Sequence, residues 1–113
     1  MREPLPQRRL SETIHFKHDK FVYTATLGFY DDGRIGEIFL SSTKSGSFLD
    51  IATRDSAIAL SFALQHGARI STMREAMTRD GQGRAEGALG ALLDRLAPIE
   101  AEIMAQLAEG RDE

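Results

Sequence analysis

Lys44-Ser45-Gly46-Ser47 is the run of this chain best suited to chemistry. It falls between the end of an expected strand and the start of an expected helix. Free backbone N–H groups and the positive end of the helix dipole attract an anion there. Lys44 adds a full positive charge, and Gly46 lets a ligand come close to the backbone. These four residues are therefore a candidate site for phosphate or a nucleotide. The spacing is not that of a P-loop, because Gly-x-x-x-x-Gly-Lys-Ser/Thr is missing. A conventional turn and helix cap, with glycine needed only for its φ, accounts for the same residues.

Other groups offer less. His15 and His18 come near a hairpin, on opposite faces of a regular strand, and His66 falls at a helix end, so no metal site is expected. Asp31 and Asp32 are adjacent carboxylates, but turn chemistry explains them in front of Gly33. Arg2, Arg8 and Arg9 cluster ahead of the first strand, and Arg79 and Arg84 flank a glycine-rich segment. These arginines are candidates for nucleic acid or an acidic partner. A loose N-terminus and a solvated, mobile loop are the plainer accounts. A formal net charge of -3 gives no general attraction to nucleic acid or anionic membrane. The sequence holds no Ser-His-Asp signature, no acid pair of the glycosidase kind and no dinucleotide fingerprint. It also has no cysteine, which excludes disulfides, thiolate metal ligands and a cysteine nucleophile. No catalytic residue and no cofactor is expected.

The elements that position these groups are readable from periodicity. A chain of 113 residues, 42% apolar and 27% charged, suits one α+β globular domain. Residues 1–9, with two prolines and three arginines, read as an extended lead-in. Alternation then predicts a three-stranded antiparallel meander over about 10–18, 20–30 and 34–42. Phe21, Tyr23, Ala25, Leu27 and Phe29 share one face of the second strand. Ile38 and Leu40 share a face of the third, with Ile35, Glu37 and Phe39 opposite. Asp31-Asp32-Gly33 supplies the hairpin between them. No stretch approaches a membrane span and no apolar leader is evident, so a cytoplasmic location is the simplest expectation.

Ser47 is placed to cap a helix over about 48–66, which closes at Gly67 in the left-handed position. Its second half is apolar on nearly every side, so both the C-terminal helices and a second subunit are candidates to cover it. Ile58, Leu60, Phe62 and Leu64 are the candidate partner contacts. Ser71 or Thr72 caps a short helix over about 71–78. Helices follow over about 87–97 and 98–109, with a break near Ala97 because proline suits a first turn better than an interior position.

The ordered set Glu37-Ile38-Phe39, Lys44-Ser45-Gly46, Ser61 and Gly67, within strands and a helix in that order, resembles the TSCPD domain. That domain occurs at the C-terminal end of adenosylcobalamin-dependent (class II) ribonucleotide reductases and as small separate proteins. The resemblance covers roughly residues 10–97, leaving 98–113 as a C-terminal helix and tail. The family's naming motif contains a cysteine that this chain lacks, and reductase chemistry needs a cysteine radical, a reducing cysteine pair and a large barrel. The resemblance therefore implies a non-catalytic accessory or regulatory module acting through protein contacts, as a homodimer or with a larger protein. A phosphate- or nucleotide-binding protein using Lys44–Ser47 is the second expectation. A nucleic-acid-associated protein using Arg8, Arg9, Arg79 and Arg84, together with Arg2, is the third.

Overall fold

The computed structural model describes residues 1–43 and 46–112. Three strands come first, β1 (Ser11–His18), β2 (Phe21–Phe29) and β3 (Ile35–Ser42), followed by α1 (Phe48–Gln65), α2 (Ile70–Ala76) and α3 (Ala88–Asp112). The strands form one antiparallel sheet in the order β1-β2-β3. This is the α+β meander with trailing helices that the alternation predicts. Phe16, Tyr23, Ala25, Leu27, Ile38 and Leu40 line one face of the sheet. They are buried against Leu60 and Leu64 of α1, Ile70 of α2, and Leu92, Leu93 and Leu96 of α3. On the opposite face Val22 and Phe39 are exposed.

Ile35 departs from the expected face. The β2–β3 register steps from Gly28↔Glu37 to Phe29↔Ile35, which leaves Gly36 as the extra residue of a bulge. The bulge reverses the alternation and turns Ile35 into the core. A Cβ on Gly36 would lie 2.6 Å from both Leu5 and Tyr30, so only glycine fits there.

The helical half differs from the sequence expectation in two linked ways. α3 runs unbroken through Pro98, although the missing N–H costs the helix about 3 kcal/mol. Packing on both sides of the proline opposes a break. Leu92, Leu93 and Leu96 are fully buried before it. After it, Glu100 accepts hydrogen bonds from Ile70 N (2.7 Å) and Ser71 N (3.1 Å). Glu100 thereby caps α2, whose N-cap residue, Arg69, makes no side-chain capping bond and pairs with Glu100 instead. Ser71 and Thr72, expected as caps, lie inside the helix.

The N-terminal lead-in is tied to the body rather than loose. Glu3 N donates to the Gln65 carbonyl at 2.7 Å. The Tyr30 hydroxyl donates to the Glu3 carbonyl, and Arg34 grips the Glu3 carboxylate with two bonds of 3.0 and 2.9 Å.

Candidate functional site

α1 lies along the outer edge of β3 and completes it with side chains. An unpaired strand edge exposes N–H and C=O groups that template unwanted pairing unless covered. Here Ser42 N donates to Asp50 Oδ1 at 2.9 Å. Ile38 N donates to Ser61 Oγ at 2.8 Å, and the same hydroxyl is 3.0 Å from the Ile38 carbonyl and 2.9 Å from the Ala57 carbonyl. Gln65 Nε2 donates to the Gly36 carbonyl at 3.0 Å. Asp50, Ala57, Ser61 and Gln65 are all buried and fall on one face of the helix. Ala57 and Ser61 are small enough to let helix and strand approach. Sequence reasoning picked out Ser61 only through the family resemblance. The available signal was polar or small residues at spacings of four and seven inside an otherwise apolar helix.

Asp50 also decides what the candidate anion loop offers. Lys44 and Ser45 lie outside the described residues. Gly46 has φ +79°, and its N–H donates to Asp50 Oδ2 at 3.3 Å. Ser47 is the N-cap, its side chain accepting from Asp50 N. The carboxylate therefore sits where an incoming anion would bind. The Ser42 N–H hydrogen bond is the main reason its pKa lies below the usual carboxylate value, with Gly46 N–H and Arg54 adding to it. At the far end, Gly67 (φ +98°) closes α1 with hydrogen bonds from Gly67 N to Leu64 O and from Ala68 N to Ala63 O.

Most of the candidate arginines are engaged within the chain. Arg2 donates to Gln65 Oε1 (2.7 Å) and lies over the Phe62 ring. Arg9 pairs with the buried carboxylate of Glu37. Arg79 holds both oxygens of Asp94 (2.9 and 2.7 Å) and also bonds the carbonyls of Gly83 and Arg74. These bonds, with a weaker contribution from Arg74, hold the Asp94 carboxyl down at about 2. The segment expected as a mobile loop is a tight hairpin. Asp80 Oδ1 accepts from Gln82 N and Arg84 N, and Asp80 N donates to the Arg84 carbonyl. Arg8 and Arg84 remain exposed, Arg84 while paired with Gln82 and Asp80. The histidines meet other partners. His15 meets Thr24, and His18 meets the Glu86 carbonyl. Among the described residues no cluster of three potential ligands could hold a metal.

The four candidate partner contacts divide between two faces. Leu60 and Leu64 are buried in the core, whereas Ile58 and Phe62 are 45% and 50% exposed. The exposed pair belongs to a longer stripe that includes Phe48 (85% exposed) and Ile51 (51%). Positions 48, 51, 55, 58 and 62 are spaced three and four apart and so share one side of the helix. Phe39 and Ile58 share a groove of ≈ 340 Å³ between α1 and the open face of the sheet with Thr24, Thr26, Ser41, Arg54 and Asp55, so exposed apolar side chains of helix and strand meet there among polar ones.

Comparison with known proteins points one way. The chain is 38% identical over 80 residues, 68% of its length, to the vitamin B12-dependent ribonucleotide reductase of Bradyrhizobium diazoefficiens. The chain shares a module with the vitamin B12-dependent ribonucleotide reductases. The corresponding enzyme of Agrobacterium fabrum matches to the same extent. The chain spans only 6% of the length of either reductase. No family model and no solved structure matches.

Proposed function

We propose that this reductase-related module is non-catalytic and acts by contact with protein, through the outer face of α1. One observation carries the reading: Phe48, Ile51, Ile58 and Phe62 are exposed along one side of α1, while Asp50, Ser61 and Gln65 of the same helix are buried and bonded to β3. Large contiguous exposed apolar patches mark interaction sites. A separate phosphate or nucleotide site at the start of α1 is disfavoured, because Asp50 already holds the Ser42 and Gly46 N–H groups. A nucleic-acid surface is disfavoured by the internal pairing of Arg2, Arg9 and Arg79. Without a cysteine the chain lacks the radical and reducing groups of ribonucleotide reduction.

The test has two parts. The purified chain, given adenosylcobalamin, ribonucleotide and a dithiol, is expected to form no deoxyribonucleotide; turnover would end the non-catalytic reading. The tagged chain and its Phe62→Asp variant are then compared as baits in extract of the native cell. Proteins retained by the first and lost by the second support the reading, and identical retention rejects the α1 surface.

A further inference from the structure

We infer that the outer face of α1 joins two copies of this chain, packed antiparallel about a two-fold axis that passes beside Arg54 and Asp55. The inference rests on the interaction reading above and names the partner as a second copy. A two-fold contact uses the same patch twice, so the patch must be complementary to itself. The α1 stripe has that property along its length. From either end it runs aromatic, isoleucine, charged pair, isoleucine, aromatic: Phe48, Ile51, Arg54 with Asp55, Ile58, Phe62. Antiparallel pairing sets Phe48 against the partner's Phe62 and Ile51 against the partner's Ile58.

The charged centre favours the same arrangement. Asp55 is exposed and has no partner among the described residues. Arg54 donates Nε to Asp50 at 3.2 Å, and its side chain remains 58% exposed. Its terminal nitrogens are thus open to the partner's Asp55, and the two-fold makes this pair twice. The stripe spans about 21 Å at 1.5 Å per residue, and its alternating three-four spacing suits a shallow helix crossing of about 20°.

The exposed apolar area reaches the lower limit for a specific pair. Phe39, Phe48, Ile51, Ile58 and Phe62 are each between 45% and 85% exposed. With aromatic side chains burying on the order of 200 Å² each, these five make roughly 500 Å² per copy, or about 1,000 Å² in the pair before any polar rim. That total is at the threshold of a specific interface.

Sedimentation equilibrium of the full chain across micromolar concentrations is expected to show a species of twice 12.5 kDa. Ile58→Asp and Phe62→Asp should weaken association by about tenfold or more while leaving circular dichroism unchanged. The absence of cysteine makes the register testable. Chains carrying Ile51→Cys and Ile58→Cys, mixed and oxidised, should form the mixed disulfide in preference to either self-paired product. Preference for the self-paired products would overturn the antiparallel arrangement, and a monomer at every concentration would overturn the second copy. If the chain is monomeric yet Phe62→Asp still loses proteins captured from extract, only the second copy fails. If capture is unchanged as well, the interaction reading falls with it.

Discussion

The two long faces of α1 invert the usual distribution of side chains. The face against β3 carries Asp50, Ser61 and Gln65, all buried and hydrogen-bonded to strand backbone. The next face, about a quarter turn round the helix, carries Phe48, Ile51, Ile58 and Phe62, all exposed. A surface helix ordinarily turns its apolar stripe inward and its polar side out. Here a third, narrower face bearing Leu60 and Leu64 joins the core, and the inward polar residues finish a sheet edge. The contrast shows that polar groups can serve as scaffold while apolar ones stay exposed.

Paired substitutions on the apolar faces should give the largest separation. Leu60→Ala removes a buried side chain and should cost about 2–5 kcal/mol in chemical denaturation. Ile58→Ala, two residues away, should change the stability of the isolated chain by no more than about 0.5 kcal/mol. Its effect should fall on association instead. Equal losses from the two would mean that the outer stripe is covered within the chain and would erase the contrast.

The polar inner face should give the next largest effect. Ser61→Ala leaves the Ile38 N–H and carbonyl at the β3 edge without their side-chain partner. Stranding a buried polar group of this kind costs about 1–3 kcal/mol. Hydrogen exchange read at Ile38 should accelerate more in this variant than exchange at Ala25, on the central strand. A uniform change across the sheet would assign Ser61 to general packing rather than to the edge.

Legibility in the sequence followed the range of the interactions. Local chemistry was visible: Asp-Gly at the second hairpin, Ser47 at the start of α1, Gly67 at its end, and the alternation of β2. Effects carried by distant residues were not. Pro98 reads locally as a boundary, and what overrides it is burial of Leu92, Leu93 and Leu96 together with the Glu100 cap on α2. Ile35 reads as outward until the Gly36 bulge reverses the count. Lys44-Ser45-Gly46-Ser47 reads as an anion loop because nothing local reveals that Asp50 reaches back to Ser42 and Gly46. Of the four residues expected as partner contacts, Ile58 and Phe62 are exposed and Leu60 and Leu64 are core. Phe48 and Ile51 were missed because the first half of α1 looks amphipathic, and only the sheet's position shows which side of it is solvent.

The smallest effect separates the two carboxylates of α1. Asp50 accepts from Ser42 N and Gly46 N, and these bonds, the Ser42 one foremost, lower its pKa in the folded protein. A lowered folded-state pKa means that below about pH 4 the unfolded chain binds the proton first. The stability due to Asp50 is therefore complete above that pH and is lost as pH falls through the folded value. Asp50→Asn keeps an acceptor oxygen for one of the two N–H groups, so its effect at neutral pH should be smaller than that of Ser61→Ala. Its stability should then decline less steeply than wild type between about pH 5 and pH 3. Asp55→Asn, on the outer face, removes one negative charge from the same helix without touching the Ser42 and Gly46 N–H groups and serves as the control for charge alone. Urea midpoints at stepped pH measure all three chains. A wild-type slope in Asp50→Asn would show that the carboxylate at the start of α1 is not what holds the loop, and would return those N–H groups to an external anion.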